Sequence, residues 1–176
     1  LTYWKGQEKL IEALNILIED YHVTNFQAIF LGSDQGRKVY SKKLYSLVER
    51  YSLTKKIKFI DHCREMPLAY SLADVVVSAS IEPEAFGRVS VEAQSMKRPI
   101  IASDIGGSKE TIIDNRTGLL FKSEDPKSLS EKIDNIFILK FLDEESVGFY
   151  AAAARFSEIF FLIPTLFLPS IFPMFL

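Results

Sequence analysis

The chain has 176 residues, 48% of them hydrophobic and 25% charged, which is enough for one globular domain with a proper core. Its formal net charge of −2 gives no field for steering polyanions, so no nucleic-acid partner is expected, and the basic stretches "GRKVYSKK" and "TKKIK" read as solvated faces. A lone cysteine, Cys63, excludes a disulfide framework; with only His22 and His62 beside it, no metal and no cofactor is expected, and a reducing, cytoplasmic setting fits.

In chain order, "WKGQEKLIEALNILIEDY" places Leu10, Ile11, Leu14, Leu17 and Ile18 at helical spacing with charges between them. "NFQAIFLGS" then reads as a buried strand ending in a glycine turn, "GRKVYSKKLYSLVERYSL" as a second amphipathic helix and "KIKFIDH" as a short strand. "EMPLAYSLA" is a short helix, and the β-branched run "DVVVSAS" is a core strand. "GRVSVEAQSM" predicts a helix, "RPIIASD" a strand, "GGSKETIID" a glycine turn opening a helix, and "GLLF" a strand. "DPKSLSEKIDNIFIL" is a helix with Pro126 in its first turn and Asp125 as its cap. Strands alternating with helices imply a doubly wound α/β domain with a parallel, Rossmann-like sheet covered on both faces.

Ligands of such sheets bind at the carboxyl ends of the strands. That rule selects the loops "GSDQGR", "DHCRE", "SIEPEAFGR" and "SDIGGSKE", where the polar and glycine clusters of the chain collect. "GSDQGR" lacks the lysine of a Walker loop, so Gly32 reads as a turn residue lining the cleft. In the third loop Phe86-Gly87 opens a helix, and the amides around Gly87, Arg88 and Val89 are then free to bind an anion, phosphate above all. Glu84 precedes the turn and Glu92 follows it by about one helical turn, where a carboxylate can accept from the vicinal hydroxyls of a ribose. Acidic residues near a helix start also satisfy its dipole, and that alternative stays open. Gly106 and Gly107 form a second glycine turn, read as leaving outward N–H groups for the same anion.

Together these stretches resemble the donor-binding half of the group 1 family of retaining glycosyltransferases, which have the two-domain GT-B fold. The resemblance is carried by "YWKGQEKLIEAL", "ADVVVSASIEPEAFGRVSVEAQSMKRPIIASDIGGSKETI" and "RTGLLFKSEDPKSLSEKI", and it runs from Leu1 to about Ser157. The family's paired-glutamate motif falls on Glu84 and Glu92, which stand either side of seven residues. The resemblance implies a nucleotide-diphosphate-sugar donor, a glycan or lipid-linked acceptor and transfer with retention, in envelope polysaccharide or lipopolysaccharide synthesis, without a bound metal. By position it assigns Lys5 to the donor diphosphate, Glu84 to the transferred sugar and Glu92 to the ribose. It assigns the amides at Phe86, Gly87, Arg88 and Val89 to sugar and phosphate, and His62, Cys63 and Arg64 to the frame of the base.

The resulting expectation is a nucleotide-sugar-binding domain over 1–140, a C-terminal helix over 141–157 and an apolar tail over 158–176. The domain's first residues and the acceptor domain are expected to be missing from this stretch of sequence. The alternative is a truncated, non-catalytic remnant with weak or no donor binding. The tail "FFLIPTLFLPSIFPMFL" carries no charge and is broken by Pro164, Pro169 and Pro173. It reads as a degenerate end or as a segment giving peripheral contact with the inner face of the membrane.

Overall fold

The computed structural model describes residues 1–141, with only the backbone for Lys140 and Phe141. The expected helix over 141–157, beyond its first residue, and the tail over 158–176 lie outside the described residues. A 3-10 turn at Tyr3–Lys5 leads into α1 (Gln7–Glu19), followed by β1 (Ala28–Leu31), α2 (Lys38–Arg50), β2 (Ile57–Ile60), α3 (Met66–Leu72) and β3 (Val76–Ser78). The alternation continues with α4 (Arg88–Ser95), β4 (Ile100–Ser103), α5 (Ser108–Thr111), β5 (Leu119–Phe121) and α6 (Pro126–Phe141).

α1 and α2 follow their apolar spacing. Ile11, Leu14 and Leu17 of α1 are buried at intervals of three, and Ser41, Leu44 and Val48 form the inner face of α2. α6 starts at Pro126, where a missing N–H costs nothing, and Asp125 Oδ1 accepts from the amides of Lys127 and Ser128, both at 3.1 Å, as the cap reading expected. The helix expected from "GGSKETIID" is a single turn, because Ile112 is already extended (ψ 127°).

The pairings β1–β2, β3–β4 and β4–β5 are parallel, as strand–helix alternation requires. The strands fall into two hydrogen-bonded groups, β1–β2 and β3–β4–β5. A cavity of about 620 Å³ separates them, lined by Phe30 and Leu31 on one side and by Val77 and Ser78 on the other. The start of the chain lies between the ends of the two groups: the Leu1 ammonium donates to the Ser33 carbonyl beyond β1, and the Ile81 amide beyond β3 donates to the Trp4 carbonyl at 2.8 Å.

The core is unevenly divided. All four residues of β4 are buried, and Ile100 and Ala102 pack with Tyr70 of α3, Ala93 of α4 and Ile112. β3, expected as a core strand, is only half-buried along its length, because one of its edges faces the cavity rather than a neighbouring strand.

Candidate functional site

The loop after β3 carries the paired glutamates. Gly87 adopts φ +68°, a left-handed conformation that glycine takes at little cost, and it caps α4, which begins at Arg88 as the sequence predicted. A helix start leaves its first amides without helical acceptors, and those of Phe86, Gly87, Arg88 and Val89 have no acceptor among the described residues.

Glu84 is held from both sides. Its Oε2 lies 2.7 Å from Lys5 Nζ, and its Oε1 accepts from the Ser80 hydroxyl. Burial pushes the Glu84 carboxyl up, but the bonds from Lys5 and Ser80 and the nearby charge of Arg88 more than reverse this and hold it below its ordinary value. The 3-10 turn delivers Lys5, and the Ile81–Trp4 backbone bond ties that turn to the start of the Glu84 loop. Lys5 Nζ also sits 4.5 Å from the centre of the Trp4 ring, a cation–π contact that further restricts the ammonium.

Glu92, one turn into α4, is anchored from α3. Its Oε2 accepts from the Tyr70 hydroxyl at 2.7 Å. Burial and the bond to Glu92 raise the Tyr70 pKa, so the phenol stays protonated and donates. Arg98, just beyond α4, reaches back to the Ser71 carbonyl at 2.6 Å and fixes the end of α3 that carries Tyr70.

The second glycine turn meets its expectation in part: Gly106 adopts a positive φ of +53°, and its amide has no acceptor among the described residues. Gly107 has an ordinary φ of −61°, and its amide donates to the Glu84 carbonyl at 2.7 Å, so it is not free for an anion. Both glycines also permit close approach. A Cβ on Gly106 would lie 2.6 Å from the Glu84 carbonyl oxygen, and one on Gly107 would lie 2.5 Å from the Phe86 carbonyl carbon. The loop after β4 thus braces the loop that carries Glu84, while the start of α4 offers a run of amides free for an anion.

The cavity between the two strand groups gathers Lys5, Gly32, His62, Ser80, Arg88 and Val89 on one surface. Gly32 lines it, as predicted. Of the base-side residues only His62 does; Cys63 and Arg64 follow it in the loop after β2 and are not part of the lining. Among the described residues no group of three histidines, cysteines or carboxylates is placed to hold a metal. Nor is any helix among them long and apolar enough to cross a membrane.

The family model described as "Glycosyl transferases group 1" matches residues 1–153. The chain belongs to the group 1 glycosyltransferase family. It is 29% identical over 135 residues to a D-inositol 3-phosphate glycosyltransferase of Corynebacterium urealyticum, covering 75% of this chain and 32% of that protein. The chain thus spans about a third of the length of that relative. Among solved structures, Anabaena HepE in complex with UDP-glucose matches with a TM-score of 0.72 and 30% identity, over 78% of this chain and 36% of that one. The C-terminal domain of the Francisella tularensis group 1 family protein LpcC matches with a TM-score of 0.70 and 28% identity, over 84% of this chain and 74% of that one. The α/β architecture is accordingly the Rossmann-like, C-terminal half of a GT-B fold, as the sequence resemblance implied.

Sequence reasoning did not find two residues that shape the candidate site, Ser80 and Tyr70. Ser80 is one more serine in "SAS". Tyr70 carried a signal: in "EMPLAYSLA" it is the single aromatic of a short helix that must pack on the sheet, and its hydroxyl, once buried, needs a partner.

Proposed function

We propose that this chain is the donor-binding domain of a retaining glycosyltransferase that takes a nucleotide-diphosphate sugar and serves a glycan or lipid-linked acceptor. The observation that carries the reading is the Lys5–Glu84 pair at 2.7 Å, set beside the free amides at the start of α4 with Glu92 one turn further on. On this reading the diphosphate lies against those amides, Lys5 and Arg88. Glu84 takes the transferred sugar, Glu92 takes the ribose, and Gly32 and His62 border the base side.

The chemistry follows from where charge develops. Departure of the nucleoside diphosphate builds negative charge at the α4 start, and fixed N–H dipoles with a lysine stabilise it without reorganising. The sugar passes through an oxocarbenium-like state, and a carboxylate held on its opposite edge orients it and stabilises the positive charge. Lys5, Arg88 and the amides supply the positive field, so the reading needs no metal.

Two findings support the coarser part: the family match and the UDP-glucose complex of HepE, a structural neighbour. The setting, cytoplasmic synthesis of envelope polysaccharide or lipopolysaccharide, extends the family resemblance. Transfer needs both walls of a cleft, so the described domain alone is expected to bind donor and to transfer poorly until an acceptor domain is added.

Calorimetric titration of the chain with UDP-, GDP- and ADP-sugars tests this, with Glu92→Ala as the control. Saturable binding of one nucleotide class, weakened about tenfold or more by the substitution, is the expected result. A folded chain that binds none of them would overturn the donor-site reading and leave a non-catalytic relative of the family.

A further inference from the structure

We propose that Tyr70 is a positioning residue that holds the Glu92 carboxylate for two vicinal hydroxyls and thereby sets the preference for ribonucleotides over 2′-deoxyribonucleotides. The inference rests on the reading of Glu92 as the ribose ligand and names the device that makes it selective.

Tyr70 is only 6% exposed and lies in an apolar cluster with Ala93, Ile100, Ala102 and Ile112, flanked by Met66, Val76 and Val89. For packing alone a phenylalanine would serve as well, since every neighbour in that cluster is apolar or presents apolar atoms. A buried hydroxyl without a partner is unfavourable, and among the described residues the one hydrogen-bond partner of this hydroxyl is Glu92 Oε2 at 2.7 Å. The polar atom is thus directed at the candidate ligand residue.

The direction of the bond matters. Tyr70 donates and Glu92 accepts, so the contact uses one lone pair of Oε2 and leaves Oε1 free to accept from a ligand. A half-exposed glutamate otherwise samples several rotamers, and each must be given up when a ligand is bound. With one oxygen fixed by a residue rooted in the core, the carboxylate is already oriented. α3 cannot drift to relax the contact, because Arg98 holds the Ser71 carbonyl at 2.6 Å. Two hydroxyls at fixed spacing match a fixed carboxylate; one hydroxyl gains much less from it. Loss of Tyr70's hydroxyl should therefore cost the ribose form more than the deoxyribose form.

Binding of UDP, GDP and ADP and of their 2′-deoxy counterparts is measured by calorimetry for the wild type, Tyr70→Phe, Glu92→Ala and the double variant. For the nucleotide that binds, Tyr70→Phe is expected to weaken the ribose form about tenfold and to move the ribo/deoxyribo ratio most of the way to that of Glu92→Ala. In the Glu92→Ala background the same change should leave the ratio where it is. A merely structural Tyr70 would lower the melting temperature and weaken both sugar forms equally, with the ratio kept, and that result overturns the proposal. An unchanged ratio in Glu92→Ala, or no nucleotide bound by the wild type, would instead remove the ribose reading itself and this inference with it. The two failures are told apart by which variant leaves the ratio unmoved.

Discussion

The two strand groups share parallel pairing and a vocabulary of isoleucine, leucine and phenylalanine, yet they are buried to very different degrees. In the three-stranded group, Ile100, Ile101 and Ala102 of β4 are wholly inaccessible. In the two-stranded group, Ile29 of β1 is 54% exposed and Ile60 of β2 is 42% exposed. β4 has a hydrogen-bonded neighbour on each side, whereas β1 has one and faces the cavity with its other edge. The paired glutamates follow the same division. Glu84 and Glu92, with their partners Ser80 and Tyr70, belong to elements around β3 and β4, while β1 and the loops after β1 and β2 line the cavity with residues such as Phe30, Leu31, Gly32 and His62. On the proposed reading, the carboxylates that must be held in place hang from the more deeply buried half of the domain.

Truncation in the two strand groups is the strongest way to break this contrast. Ile101→Ala is expected to destabilise the chain by about 2–5 kcal/mol, since its side chain is fully buried and leaves a cavity. Ile29→Ala removes a side chain already half in water and should cost less than about 1 kcal/mol. Denaturant unfolding followed by circular dichroism reads both. Equal losses would mean that the two groups are packed alike and that the exposure of Ile29 has no energetic consequence.

Much of this division was open to sequence reasoning, and part was not. The order of elements was legible because apolar spacing switches between helix and strand periods at each glycine or aspartate turn, as at "LGSD" and "ASDIGG". The strand–turn–helix at Phe86-Gly87 was legible for the same reason. The split of the strands was not, because "AIFL" and "VVVS" are equally apolar and burial depends on which neighbours each acquires. Nor was the role of Gly107: a glycine pair announces conformational freedom, whereas the structure uses the missing Cβ for contact with Phe86. Which residues hold the glutamates was hidden as well, since Tyr70 is 22 positions from Glu92 and Lys5 is 79 from Glu84.

A glycine pair sharpens the contrast at the level of loops. A methyl group on Gly107 would meet backbone at 2.5 Å, and backbone cannot rotate away as a side chain does. Gly107→Ala should cost about 1–3 kcal/mol and weaken donor binding about tenfold or more, because the Glu84 loop must shift. At Gly32 an added Cβ meets nothing within 4 Å, and only the φ of +134° resists substitution. Gly32→Ala should therefore cost about 1 kcal/mol and leave the Glu84 loop in place. Melting curves with and without nucleotide separate the two. A Gly107→Ala protein that binds donor as the wild type does would show that the loop after β4 does not brace the site.

The smallest expected effect concerns ion pairs, one from each half. Lys43 and Glu8 lie 2.7 Å apart between α2 and α1, but the lysine is 64% exposed, so Lys43→Met should change stability by near zero, and any change should shrink further in salt. Lys5 and Glu84 are less accessible, at 32% and 19%, and the carboxylate has a second donor in Ser80. Lys5→Met is expected to cost about 1 kcal/mol at neutral pH. Its pH dependence has a definite sign. Because the Glu84 carboxyl is held below its ordinary value of 4.5, the unfolded chain binds the proton more readily than the folded one does. The contribution of the pair is therefore complete above pH 4.5 and is lost as the pH falls through the lower folded value. Stability measured across that range should show wild type and Lys5→Met separated near neutrality and converging in acid, with no such convergence for Lys43→Met. A gap that stays constant into acid would mean that Lys5 stabilises the domain through its contact with Trp4 rather than through Glu84, and the carboxylate would then be free to turn toward a bound sugar without first breaking a salt bridge.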